Sequence, residues 1–108
     1  MNKQVQDRIK KYPIEIIEMF TSLRGLVYDT VSSEIIETVW AGMPSYYVKE
    51  SFVRLIPFKD HINIEAKAIT KYSIELSEYR ITPKGMLQIK ANQIIPTEIL
   101  KLIFIETL

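Results

Sequence analysis

The chain has 108 residues, 47% apolar and 25% charged, with fourteen Lys or Arg against thirteen Asp or Glu for a net charge of +1: the size and make-up of one globular domain. That near balance argues against a nucleic-acid binder working through bulk charge and against a strongly acidic metal sponge. The absence of cysteine excludes disulfides, thiolate metal sites and a cysteine nucleophile, and a lone histidine excludes a multi-histidine zinc site within one chain.

The chain opens on a polar lead, "MNKQVQDRIKKYPIE", without the apolar segment of a secretory signal, and no apolar run approaches about 18 residues. A cytoplasmic protein with no membrane or nucleic-acid partner is expected. Pro13 then opens a helix, where its missing N–H costs nothing. Ile16, Phe20, Leu23, Val27 and Val31 form an apolar stripe at the helical period. Glu15, Glu18, Ser22, Gly25 and Asp29 fall on the opposite face.

From Ile35 the run "IIETVW" is β-branched and aromatic and predicts a strand. Gly42, Met43 and Pro44 bend the chain, since glycine takes angles closed to other residues and a residue before proline is pushed toward extended geometry. "SYYV" follows as a second strand, with Lys49-Glu50-Ser51 as a short connection. "FVRLIPF" is a third strand, with Pro57 marking an edge or a strand end. After a turn at Lys59-Asp60, "HINIEA" alternates, with Ile62, Ile64 and Ala66 on one face and His61, Asn63 and Glu65 on the other. Over Lys67 to Tyr79 the spacing of Ile69, Tyr72 and Leu76 favours a short helix, although "YSIEL" also suits a strand. "TPKG" is a turn in which Pro83 fixes φ and Gly85 is permissive. "MLQIKA" is a strand, and Pro96-Thr97-Glu98 opens a C-terminal helix. That helix, "ILKLIFI", is apolar on nearly every side, so it is expected to be heavily buried or to pair with a second chain as a homodimer. The element order predicts an α+β fold: an antiparallel sheet of about five strands packed on one face by N- and C-terminal helices.

Four stretches in order, "ETVWAGMPSYYV", "PFKDHINI", "LSEYRITPKGMLQI" and "IIPTEILKLI", resemble the YdhG-like domain family of small bacterial proteins, over roughly residues 14 to 105. One member of that family has been described as a frataxin-like intracellular iron chaperone. The resemblance implies a frataxin-like α+β sandwich in a single domain spanning residues 1–108. It also implies, as the most specific function, iron carriage with iron-accepting proteins as partners. A hard iron ion wants carboxylate oxygens. Glu15 and Glu18, neighbours at i, i+3, are the metal candidates; Asp29, about 16 Å further along the axis, cannot join them. Glu34 and Glu37 could join Asp29 instead.

The alternative is a binding module without a metal role, in which the aromatic and basic sheet face meets a protein or small ligand through Trp40, Pro44, Tyr46, Lys59 and His61. Adjacent Tyr46 and Tyr47 must point to opposite faces of a regular strand, so one of them faces outward. His61 is the one side chain whose ordinary titration falls near neutrality. No paired carboxylates or nucleophile with a base can be named, so a non-catalytic binding domain is expected over an enzyme. Lys84-Gly85 lacks the earlier glycine of a phosphate loop and leads into a strand.

Overall fold

The computed structural model describes residues 1–108. Its elements are α1 (Lys3–Ile9), α2 (Ile14–Thr30), β1 (Ile36–Trp40), β2 (Met43–Val48), β3 (Ser51–Pro57), β4 (His61–Ala66), a 3-10 turn (Lys67–Tyr72), β5 (Arg80–Ile81), β6 (Leu87–Lys90) and α3 (Thr97–Thr107). The strands form one antiparallel sheet in the order β1-β2-β3-β4-β6-β5. All three helices pack on the same face. The class is the expected α+β arrangement, with six strands where about five are predicted. The additional strand is β5, two residues paired with Gln88 and Leu87, too short to leave a periodic pattern.

The α2 stripe is buried as its spacing predicts: Ile16, Phe20, Leu23 and Val27 all enter the core, while Val31 caps the helix end half-buried. Pro13 stands just before the helix, as its N-cap. The polar lead, to which the sequence pattern assigns no element, holds α1. Its N-terminus is capped by Asn2, whose side-chain oxygen accepts from the N–H groups of Gln4 and Val5. Seven residues are too few for a helix to persist alone; Val5 and Ile9, both buried, tie it to the core. The segment after β4 makes a 3-10 turn and then successive turns in place of a regular helix, yet Ile69, Tyr72 and Leu76 are all buried. Burial of those three, not their helical spacing, is what the segment needs.

Strand alternation sorts the sheet into two faces. Inward go Tyr46 of β2, Val53 and Leu55 of β3, Ile62 and Ile64 of β4, and Leu87 and Ile89 of β6, meeting Phe20 and Leu23 of α2 and Leu100 and Phe104 of α3. Outward go Ile36, Thr38 and Trp40; Met43, Ser45 and Tyr47; Phe52, Arg54 and Ile56; and His61, Asn63 and Glu65. No helix covers this outer face.

Two tight hairpins fix the registers. β1 and β2 are joined by Ala41 and Gly42 alone, at φ of 50° and 80°. Two successive positive values match the strand twist but strain alanine, whose Cβ crowds the following carbonyl. Ala41→Asn keeps the turn with a residue that tolerates this region. It is expected to stabilise the chain by about 0.5–1 kcal/mol, read as a rise of a few degrees in Tm.

Candidate functional site

On the outer face the centre is Arg54. Register places it between Ser45 of β2 and Glu65 of β4. Its Nε donates to Ser45 Oγ at 3.1 Å, Nη1 to Glu65 Oε1 at 3.1 Å and Nη2 to the Tyr47 hydroxyl at 3.0 Å. The guanidinium carbon lies 3.7 Å from the Phe52 ring centroid and 4.2 Å from that of Trp40. Arg54 is only 5% exposed although no backbone element lies above it. Its cover is made of side chains, chiefly aromatic ones. Such contacts with a desolvated guanidinium contribute up to about 2 kcal/mol each. Trp40, resting against it, stays 52% exposed, and Ile36 on the same strand 59%. The result is an apolar, partly open patch with a pinned cation at its base.

Arg54 is not among the candidate residues that the sequence pattern singles out. The signal was available, since an arginine at an alternate position inside "FVRLI" must share a face with Tyr47 or with Tyr46 once the pairing is known.

Tyr46 lies on the inner face, fully buried, and so does not belong to an outward patch; Tyr47 is the outward tyrosine of the pair. Pro44 is buried too, one residue beyond the last β2–β3 pair, Ser45↔Arg54. Its missing N–H therefore removes nothing from that ladder, which is the structural reason a proline is accepted there. Trp40 is where an outward patch needs it. His61 also faces outward, stacked on Phe58 at 4.5 Å and bonded through Nδ1 to Asp60 Oδ1 at 2.7 Å. That hydrogen bond to His61 holds the Asp60 carboxyl below its usual range. His61 is four residues along β4 from Glu65, about 13 Å at the rise of a strand, so it is not part of the Arg54 cluster. Lys59 sits beyond the strand end, in the loop, beside Lys11, Tyr12 and Pro13. The five sequence candidates therefore separate into one at the Arg54 patch, two in the interior and two at the β3–β4 turn, across the sheet from Trp40.

The inner face carries a second polar cluster. The Glu37 side chain is only 6% exposed and accepts from Arg24 Nε at 2.7 Å and Nη2 at 3.2 Å, and from the Asn2 backbone N–H at 2.6 Å. Burial pushes its carboxyl up. The Arg24, Asn2 and Tyr46 contacts outweigh burial and hold it below the usual range. The Tyr46 hydroxyl lies beside this carboxylate without a direct hydrogen bond, and burial drives its pKa far above the ordinary tyrosine value. Tyr28 packs edge-on against Tyr46 and under the Arg24 guanidinium, 4.6 Å away. This clasp ties α1, α2 and β1 together, and it engages Glu37 as a structural residue.

Glu15 and Glu18 are exposed on α2. No group of three or more His, Cys, Asp or Glu side chains comes together in a way that could hold a metal ion. No helix is long and apolar enough to cross a membrane. Comparisons with family models, curated proteins and solved structures gave no match to this chain.

Proposed function

We propose that the chain is a non-catalytic binding domain whose uncovered sheet face receives a protein partner, with Trp40, Ile36, Tyr47 and Phe52 as apolar contacts around Arg54. The observation that supports it most is the combination of a desolvated arginine and a half-exposed tryptophan on a face that no helix covers. Buried aromatic and arginine anchors ringed by polar groups are the residues that dominate binding energy in protein interfaces. The outward strand positions hold Arg54, Arg80 and Lys90 against Glu65 alone, and Glu65 is already paired with Arg54. A partner offering apolar side chains bordered by carboxylates suits that balance.

Iron carriage rests on the family resemblance, and Glu15 and Glu18 supply two carboxylates without a third donor. An anaerobic ferrous titration by calorimetry separates the two versions; the sheet-face reading predicts no micromolar site that Glu15→Ala with Glu18→Ala removes.

Immobilised wild type, Trp40→Ala and Leu102→Lys are the variants to compare in retaining proteins from a cell extract. The expected result is a partner whose affinity falls about thirtyfold with Trp40→Ala, the size of a hot-spot truncation, and is unchanged with Leu102→Lys on α3. A partner retained equally by Trp40→Ala contradicts the proposed face.

A further inference from the structure

The two edges of the sheet are treated differently. β5 is two residues long, begins with Arg80 and is followed closely by Pro83, the short, charged and interrupted type of edge that resists pairing. β1 at the other edge is five residues, Ile36-Glu37-Thr38-Val39-Trp40, with neither lysine nor proline; its one charged side chain, Glu37, faces inward and is neutralised by Arg24. Its two outward end residues, Ile36 and Trp40, are among the exposed large hydrophobics. In the two-residue β1–β2 hairpin the pairs Trp40↔Met43, Thr38↔Ser45 and Ile36↔Tyr47 exchange hydrogen bonds. The backbone groups of Glu37 and Val39 therefore point away from the sheet. Only one of them has a partner: the Glu37 carbonyl accepts from the Asn2 side chain at 3.3 Å, leaving its second lone pair. An open groove lined by Val39, Gln4, Asp7, Arg8 and Lys11 runs beside this edge.

We propose that β1 pairs antiparallel with β1 of a second copy of the chain, about a twofold axis through Thr38. The sequence is self-complementary in that register. Glu37 and Val39 of each copy exchange backbone hydrogen bonds with Val39 and Glu37 of the other, and Ile36 lies opposite Trp40 twice, in the closer non-hydrogen-bonded spacing. The contact joins two six-stranded sheets into one and sets the two Trp40 patches side by side on a continuous outer face. The inference shares Ile36 and Trp40 with the partner-binding reading but rests on the backbone of the edge strand, and the crosslinking at Thr38 tests it separately. Four backbone bonds and two Ile–Trp contacts make a small interface, so the dimer belongs to the weak, concentration-dependent class.

The chain has no cysteine, which makes single-cysteine crosslinking specific. Thr38 meets Thr38 across the twofold axis at a non-hydrogen-bonded pair, where the Cα atoms lie about 4.5 Å apart, within disulfide range. Under mild oxidation Thr38→Cys is expected to form a covalent dimer at concentrations where Ser77→Cys, an exposed control, stays monomeric. Ile36→Lys added to Thr38→Cys is expected to suppress the dimer, and wild type to show concentration-dependent association by sedimentation that Ile36→Lys removes. Crosslinking of Thr38→Cys no faster than Ser77→Cys overturns the proposal, as does a wild type that sediments as a monomer at every concentration up to about millimolar, the limit of a weak contact. Capture of an extended strand from another protein by this edge, with no self-pairing, gives the same overturning result.

Discussion

Tyr46→Ala is expected to cost about 3–5 kcal/mol, the range for emptying a large aromatic site in a core, whereas Tyr46→Phe is expected to change stability by less than about 1 kcal/mol. The ring fills the space between β2, α2 and Tyr28, fully buried. The hydroxyl makes no direct hydrogen bond, so deleting it removes only its weaker influence on the neighbouring Glu37 carboxylate and relieves a buried polar atom. Chemical denaturation of both variants checks the pair. A large loss with Tyr46→Phe would show that the hydroxyl is a working member of the Glu37 cluster, and that it donates to the carboxylate in solution.

The second large effect is at Arg24. Arg24→Met keeps the aliphatic contact with Tyr28 but leaves the Glu37 carboxylate buried with its main counter-ion gone, for a loss of about 2–3 kcal/mol near neutral pH. That is below the usual cost of breaking a buried pair because Arg24 itself is partly exposed. The pH dependence has a definite sign. Glu37 is held below the usual carboxylate range in the folded chain. Its contribution is therefore complete above the unfolded carboxyl pKa of about 4.3 and is lost as pH falls below that. In Arg24→Met, burial dominates and the carboxyl moves up. The gap between wild type and variant is expected to shrink steadily from pH 6 to pH 3. A gap that is constant over this range would mean that Arg24 stabilises by packing alone.

Much of the framework is written in local pattern. The α2 stripe, the alternation in "HINIEA" and the Pro83–Gly85 turn each depend on residues within one element, and each is formed as expected; the turn closes with Gly85 N–H to the Thr82 carbonyl and φ of 86° at Gly85. What escaped depends on tertiary contact. α1 has two apolar residues in seven and exists because Val5 and Ile9 reach the core and Asn2 reaches Glu37. β5 is two residues drawn into the sheet by β6.

The orientation of the two tyrosines lies between these cases. Ile62 and Ile64 face inward, so their partners Pro57 and Leu55 do as well. Val53 follows by alternation, and Tyr46 by its pairing with Val53. Each step is simple, but it requires the lengths of the turns at Phe58–Asp60 and Lys49–Glu50, which composition does not state. The same missing register concealed Arg54, whose burial is created by Ser45, Tyr47, Glu65 and two rings from three other places in the chain and one place on its own strand.

Trp40 is the only tryptophan, so its fluorescence reports the proposed binding face without labelling. The decisive measurement is acrylamide quenching of Trp40 with and without the partner captured on the wild-type chain. A half-exposed indole over Arg54 predicts efficient quenching of the free chain, and burial in the interface predicts a blue-shifted emission and marked protection in the complex. A complex in which Trp40 remains as quenchable as in the free chain would place the partner elsewhere and contradict the assignment of the open sheet face.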